Sequence, residues 1–190
     1  MSLWVPSNDL AWTFEPLHPY DLDIVIVDAH LAKKLATQAD FLVSLWGTRG
    51  PDDDPAEHPT KMAWAKEHPN SLVLEFDDIP SADSHGYIGI TEDQVRAIIA
   101  FAPNLRGKVV FHCAQGISRS TAAALVMLTS RLGVRRAIDT LELAIARTKE
   151  KDWRAAGVKP NKRVIALADH LLGLNGKLIK AASRKYHSGT

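Results

Sequence analysis

The stretch 108–125 constrains the fold most, because it joins a buried strand to a long helix through a short loop. Residues 109–111, Val-Val-Phe, form an apolar run that is typical of a buried strand. Residues 117–132 are rich in Ala and Leu and contain neither Pro nor Gly, so they predict a helix that ends at Gly133. The loop between strand and helix is therefore predicted at 113–119.

The residues of this loop have a chemical meaning of their own. Successive backbone N–H groups in a tight loop, continued by those of a helix start, form a concavity that attracts a phosphate-like dianion. Arg119 can bind two oxygens of that anion at once, and the thiol of Cys113, in the same positive field, should ionise readily. Gly116 would let the backbone approach the ligand, and the Ser120 hydroxyl could stabilise the sulfur as a leaving group. The loop thus predicts a thiolate beneath a bound phosphoryl group.

The pattern His112-Cys113-x-x-Gly116-x-x-Arg119-Ser120 resembles the phosphate-binding loop of the cysteine-dependent protein tyrosine phosphatases. The likeness is to their dual-specificity-like branch and to its small bacterial-type members. Five fixed letters in a chain of this length are expected by chance at a frequency on the order of 10⁻⁴. The resemblance implies hydrolysis of phosphate monoesters through a cysteinyl-phosphate intermediate, with no cofactor and no metal. It also implies that His112 orients the thiolate, although a purely structural histidine is the alternative.

The resemblance further assigns the substrate-binding residues and the kind of substrate. The phosphoryl oxygens would be held by the loop at Ala114, Gln115, Gly116, Ile117, Ser118 and Arg119. No counterpart of an aromatic phosphotyrosine-recognition loop is found, which favours a shallow pocket for phosphotyrosine and also phosphoserine or phosphothreonine. The loop's variable side chains are uncharged, so a polyanionic substrate is not favoured.

Similar phosphatases carry an Asp about thirty residues before the cysteine that serves as general acid. Asp77, Asp78 and Asp83 all follow a predicted strand at 71–76, and parallel strands bring their carboxyl ends to one crevice. We favour Asp78, because an Asp followed by an apolar residue just past the strand end is most similar to the family pattern. At least two of the three aspartates must serve only as turn or capping residues.

The rest of the chain predicts an α/β fold, a single domain with a mostly parallel central sheet of four to five strands flanked by helices, as in protein tyrosine phosphatases. Further strands are expected at 23–27 and 41–46. Helices are predicted at 29–38, 92–102 with Thr91 as N-cap, 134–147 and 160–172. Residues 1–22 are expected to form an irregular arm, 47–59 a polar loop, and 177–190 a basic tail that is either a short helix or frayed. His58 in this loop and His68 ten residues further on are expected at the surface.

Composition restricts the compartment and the partners. A length of 190 residues suits one domain, and a net charge of +1 gives no general attraction for nucleic acid or a membrane surface. A single cysteine excludes an internal disulfide and fits a reducing compartment. Because no signal sequence is apparent, a cytoplasmic protein is expected. The expected partner is a phosphorylated protein or a small phosphoester, and the oligomeric state stays open.

Two other classes of protein compete with the phosphatase interpretation. A rhodanese-like sulfurtransferase also places a cysteine in a strand-to-helix loop, but the Gly116, Arg119 and Ser120 positions disfavour it. A phosphoresidue-binding module would use the same loop without a correctly placed acid. The sequence leaves this second alternative open, because the positions of the aspartates are only inferred.

Overall fold

The computed structural model describes residues 22–48, 58–149 and 158–187. The predicted N-terminal arm lies outside the described residues, apart from Leu22, which begins the first strand. Most of the predicted loop at 47–59 lies outside them as well. Among the described helices, none combines the length and the apolar character needed to cross a membrane.

A four-stranded parallel sheet forms the centre of the described chain. Its strands are β1 (Leu22–Asp28), β2 (Phe41–Trp46), β3 (Ser71–Glu75) and β6 (Gly107–Cys113), in the order β1-β6-β2-β3. A separate antiparallel hairpin contains β4 (Asp83–Ser84) and β5 (Tyr87–Ile88). The α/β class and the parallel sheet are therefore confirmed, with four strands.

The register brings the functional segments to one edge of the sheet. Cys113 pairs with Asp28 at the end of β1, and His112 pairs with Ser44 two residues before the end of β2. Because β3 runs parallel to β2, the segment that follows Glu75 leaves the sheet at this same edge. The nucleophile candidate and the acid candidates thus share the carboxyl edge of the sheet, as expected for parallel strands.

Seven α-helices accompany the sheet in the part of the chain that the structure describes. They are α1 (Ala29–Leu35), α2 (His58–Lys66), α3 (Glu92–Phe101), α4 (Arg119–Leu132), α5 (Val134–Lys149), α6 (Lys162–Leu171) and α7 (Lys177–Tyr186). Of these, α2 was not predicted, because its nine residues lack a marked apolar stripe. Helix α2 begins inside the predicted loop 47–59. His68, just beyond the end of α2, is half-buried, and its Nε2 lies 3.0 Å from the Ala39 carbonyl oxygen. The prediction that His68 lies at the surface was therefore wrong.

Side-chain caps determine where several helices begin. Thr91 and Gln94 form a capping box that opens α3, which confirms the predicted N-cap. Asn161 caps α6, so that helix begins after Asn161 and not at Pro160. Asp169 accepts hydrogen bonds from the backbone of Gly176 and of Leu178, which holds the start of α7 against the end of α6. Residues 177–186 are therefore a packed helix and not a frayed tail.

Helix α4, which follows the loop at 113–119, is buried in the core. Every residue from Arg119 to Thr129 is buried, and the helix lies within the larger of two apolar clusters, together with β6, α5 and α6. The smaller cluster, on the other face of the sheet, includes Val25, Leu42 and Val110. Since both ends of the loop are fixed in packed elements, the loop's conformation is set by the core.

Candidate active site

The loop between β6 and α4 leads directly into the backbone N–H groups at the start of α4. Ser118 occupies the N-cap position of α4 but makes no capping hydrogen bond. Its hydroxyl instead donates to Asp78 Oδ1 at 2.7 Å. The Ser118 side chain therefore does not cap the start of α4. The positive end of the α4 helix dipole faces the loop, where it would stabilise an anion.

The Cys113 thiol lies at the base of this loop. Its side chain is buried, and Sγ is 3.3 Å from Ser120 Oγ. Burial opposes ionisation, but the Ser120 hydroxyl, the Arg119 charge and the backbone N–H groups of Ser120 and Gln115 outweigh it and lower the pKa of Cys113. The thiol is thus a better nucleophile at neutral pH than a buried cysteine without these partners.

Arg119 joins the loop to the segment that follows β3. Its Nη1 donates to the Phe76 carbonyl at 2.9 Å, and the side chain is buried. Its Nε, also buried, has no hydrogen-bond partner among the described residues. A buried guanidinium N–H without a partner is costly in an apolar site, and an oxygen of a bound anion would satisfy it.

The structure requires glycine at position 116 for a reason that the sequence did not reveal. Its φ of +71° lies in the left-handed region, which an L residue with a side chain rarely adopts. A Cβ at this position would also come within 2.7 Å of the Val27 backbone carbon and 2.8 Å of its oxygen. The sequence explained this glycine by the approach of a ligand, whereas the structure shows that close packing against the end of β1 requires it.

His112 is held by a chain of hydrogen bonds. Trp46 Nε1 donates to Ser44 Oγ at 2.6 Å, and Ser44 Oγ lies 2.8 Å from His112 Nε2. The indole N–H can only donate, whereas the Ser44 hydroxyl can accept this bond and still either donate to Nε2 or accept from it, so the contact holds the imidazole ring in either tautomer. The ring stacks on Trp64 at 5.3 Å and meets Trp46 edge-on at 5.4 Å.

The same surroundings keep His112 uncharged. Burial lowers the pKa of His112 to about 4 and outweighs the opposing effect of the Cys113 backbone; the nearby Arg119 charge adds to the lowering, and Asp28 opposes it. Nδ1 has no partner of good hydrogen-bond geometry among the described residues. The hydrogen bond of this histidine therefore goes to Ser44, while the thiol is paired with Ser120.

The three candidate acids have different surroundings. Asp77 is buried, and its carboxylate accepts from the Thr48 N–H at 2.9 Å, from the Thr48 hydroxyl and from the Ile88 N–H at 2.8 Å. Asp78 is exposed, and its Oδ1 accepts from Ser118 in the loop. Asp83 begins the β4–β5 hairpin, and its side chain lies outside the described part of the structure. Asp77 is thus used to hold neighbouring backbone, and Asp78 contacts the loop that carries the thiol.

Sequence reasoning did not single out Asn161. Its Nδ2 donates to Asp78 Oδ1 at 2.7 Å, across 83 positions of sequence. The order Pro160-Asn161 before an apolar helix is a recognisable N-cap signal, but it does not indicate which residue the amide reaches.

No group of three or more His, Cys, Asp or Glu side chains that could hold a metal occurs in the described ranges.

Comparison with solved structures finds remote similarity to phosphatase domains. The Yvh1 phosphatase domain from Chaetomium thermophilum is 15% identical, with a TM-score of 0.48, over 86% of this chain and 97% of that one. Tk-PTP in its active form is 16% identical with a TM-score of 0.42, over 80% of this chain and 90% of that one. PTPMT1, solved in complex with PI(5)P, is 13% identical with a TM-score of 0.42, over 86% of this chain and 92% of that one.

No protein-family model matches the chain, and no curated protein matches it. The solved structures are remote in both identity and TM-score, so the function proposed below is based on the geometry of the loop alone.

Proposed function

We propose that the protein hydrolyses phosphate monoesters through a cysteinyl-phosphate intermediate. The observation that supports this most is the pairing of Cys113 with Arg119 in one loop. The thiol has a lowered pKa, and the buried Nε of the arginine lacks a partner among the described residues. A sulfur nucleophile and an unsatisfied guanidinium N–H at the start of a helix suit a group that carries both an electrophilic phosphorus and negative oxygens.

The reaction would proceed in two displacements at phosphorus. In the first, the Cys113 thiolate forms an S–P bond while the ester P–O bond breaks, and Asp78 gives its proton to the departing oxygen. In the second, water attacks the phosphorus, the Asp78 carboxylate takes a proton from that water, and the sulfur leaves as a thiolate. Ser120, 3.3 Å from Sγ, would stabilise the thiolate, and Arg119 with the loop N–H groups would hold the other phosphoryl oxygens.

The proposed substrates are phosphotyrosine residues of proteins, with phosphoserine and phosphothreonine residues and small phosphoesters as further candidates. The side chains that accompany Cys113 in the loop, at Ala114, Gln115, Ile117 and Ser118, carry no charge. The loop therefore supplies Arg119 as its one fixed cation, which suits a single phosphoryl group better than a polyanion. A cytoplasmic location and a single-domain organisation of residues 1–190 belong to the same proposal.

Hydrolysis of para-nitrophenyl phosphate, with and without Cys113→Ser, tests the proposed reaction. We expect turnover by the wild-type protein and a loss of at least about 10⁴-fold in the variant, because serine is not ionised at neutral pH. Binding of inorganic phosphate, measured by calorimetry, should persist in Cys113→Ser. Turnover retained by the variant would exclude the covalent route.

The two competing classes give different results in the same experiment. Phosphate binding without turnover in the wild-type protein would identify a phosphoresidue-binding module. Production of thiocyanate from thiosulfate and cyanide would identify a sulfurtransferase. Acid quenching of the wild-type protein with a radiolabelled phosphotyrosine peptide should trap an S–P linkage only under the proposed mechanism.

A further inference from the structure

Asn161 lies where three segments of the described chain meet. Its own backbone N–H donates to the Ser118 carbonyl at 3.2 Å, next to a similar bond from Lys159 N–H to the Ile117 carbonyl. The segment before α6 is therefore bound along the end of the loop that carries Cys113. Asn161 is 6% exposed, so its amide is largely withdrawn from solvent and its hydrogen-bonding groups need partners inside the protein.

The two ends of the Asn161 amide perform separate tasks. Oδ1 accepts from the N–H groups of Arg163 and Val164 at 3.0 and 3.1 Å, which caps helix α6. Nδ2 donates to Asp78 Oδ1 at 2.7 Å and makes a longer contact of 3.4 Å with the Ile79 carbonyl. A capping residue needs only the acceptor, so the direction of the Nδ2 donor is not explained by the start of α6.

Asp78 receives both of its described hydrogen bonds on one oxygen. Ser118 Oγ and Asn161 Nδ2 each lie 2.7 Å from Oδ1. Two donors at Oδ1 keep the proton of the acidic form on Oδ2, which has no hydrogen bond among the described residues. Donors from the loop and from the start of α6 also fix the direction of an otherwise exposed carboxyl group.

We propose that Asn161 is a positioning residue for Asp78, and that its amide holds the acid over the phosphate-binding loop with Oδ2 directed to the leaving group. This inference rests on the proposed function. It adds a residue 83 positions from the acid that the sequence pattern did not assign to the reaction. The capping oxygen and the positioning N–H belong to the same side chain, which ties the geometry of the acid to the start of α6.

The double task of the amide makes a clean substitution available. Asn161→Asp keeps an oxygen acceptor for the cap and removes the donor to Asp78, while Asn161→Ser keeps a good N-cap and adds no charge. Asn70→Asp serves as the matched control, because Asn70 Nδ2 also donates, to the Asp40 carbonyl at 3.1 Å, but lies before the start of β3, at the amino edge of the sheet.

The test compares two esters that need the acid to different degrees. The leaving group of para-nitrophenyl phosphate departs readily without a proton, whereas that of phenyl phosphate depends on protonation. With both Asn161 variants, kcat/KM for phenyl phosphate should fall about tenfold or more, and kcat/KM for para-nitrophenyl phosphate by less than about threefold. Asn70→Asp should change neither value, and thermal unfolding of Asn161→Ser, which adds no charge beside Asp78, should stay close to that of the wild type.

Other outcomes separate the positioning role from its foundation. An equal loss on both esters would assign Asn161 a purely structural role in the loop, and no loss on either ester would show that Asp78 is positioned without it. Either result overturns the inference and leaves the proposed phosphatase reaction in place. Failure of the wild-type protein to hydrolyse either ester would overturn the proposed reaction itself, and the positioning role with it.

Discussion

The nucleophile loop at 113–119 and the acid segment at 76–80 meet at one edge of the sheet but are built in opposite ways. The loop is made of consecutive residues, and its thiol and guanidinium are buried between β6 and α4. The acid segment follows β3, and Asp78 is exposed. It is held by contacts from distant parts of the chain, including Arg119 to the Phe76 carbonyl and Asn161 to Asp78.

This difference shows that the two parts of the candidate site depend on different kinds of interaction. The loop depends on local backbone geometry, as at Gly116, and on a core that fixes both of its ends. The acid segment depends on a few hydrogen bonds that cross 11 to 83 positions of sequence. A substitution in the loop should therefore act on substrate and nucleophile together, whereas a substitution in the acid segment should act on leaving-group protonation alone.

After loss of the nucleophile itself, the largest effect is expected for Arg119→Lys, which removes one of the contacts between the two parts. Lysine cannot bind two phosphoryl oxygens in one plane while also donating to the Phe76 carbonyl. We expect kcat/KM for para-nitrophenyl phosphate to fall about 10³-fold, with phosphate binding weakened as well. Arg131→Lys is the matched control, because Arg131 donates to the Leu105 carbonyl at 2.6 Å outside the proposed site. A control variant that loses as much activity would indicate a general effect on folding.

The second-largest effect is expected for Asp78→Asn, and comparison with Asp77→Asn distinguishes the roles of the two aspartates. Asp78→Asn should lower kcat/KM for phenyl phosphate on the order of 10²-fold and remove the falling basic limb of the pH–rate profile, with little change in stability. Asp77→Asn should instead lower the free energy of unfolding by about 1–3 kcal/mol, because it weakens bonds to Thr48 and Ile88. Urea titration and steady-state kinetics on both variants check this pair. A basic limb that persists in Asp78→Asn would move the acid role to another carboxyl group, with Asp83 next.

The same contrast explains how much the sequence could predict. The loop 113–119, the end of α4 at Gly133 and the sheet strands follow from apolar runs and from glycine positions, which are local signals. Among the three aspartates only the family pattern favoured Asp78, because the physical difference between Asp77 and Asp78 is made by Thr48, Ile88 and Asn161. Contacts across 11 to 83 positions leave no periodic pattern that sequence reasoning could detect.

Helix α2 shows a second kind of limit. Its sequence, His-Pro-Thr-Lys-Met-Ala-Trp-Ala-Lys, has no marked apolar stripe and follows a run of turn-forming residues, so it was included in part in a loop. The helix nevertheless buries Met62 and Ala65 and places Trp64 against His112. Tertiary packing on the sheet therefore supplies what the local pattern lacks. The consequence reaches the candidate site, because Trp64 forms one wall around the histidine that precedes the nucleophile.

The third prediction concerns the buried support beneath the nucleophile loop. Burial lowers the pKa of His112 to about 4, below the 6.5 that an exposed histidine has in the unfolded chain. Between these values the unfolded chain takes up a proton that the folded protein does not, so stability is complete above pH 6.5 and falls as the pH is lowered toward 4. The expected loss over that window is about 3 kcal/mol from this residue.

Chemical unfolding at several pH values, on the wild-type protein and on His112→Gln, measures that loss. The variant should show a shallower dependence between pH 6.5 and 4, because glutamine does not titrate and can still meet Ser44 through its terminal amide. Every other residue is the same in the two proteins, so its contribution cancels in the comparison. If the free energy of unfolding of the two proteins changed with pH in the same way, His112 would take up its proton in the folded state as in the unfolded chain. The neighbours of His112 would then offset the effect of burial on its pKa.

The smallest effect is expected for Ser44→Ala, which tests whether the support beneath the loop influences the thiol. The substitution leaves Trp46 Nε1 and His112 Nε2 without the hydroxyl that joins them, so the free energy of unfolding should fall by about 1–3 kcal/mol.

Because the thiol is paired directly with Ser120 and not with His112, the pH dependence of Cys113 alkylation by iodoacetate should hardly change in Ser44→Ala. For the same reason, kcat should fall by less than about tenfold. Ser130→Ala provides the control, since Ser130 donates to the Met127 carbonyl at 2.9 Å on α4 without contact to the histidine. A large shift of the alkylation profile in Ser44→Ala alone would show that the histidine proton acts on the sulfur, and the nucleophile loop would then depend on long-range contacts as the acid segment does.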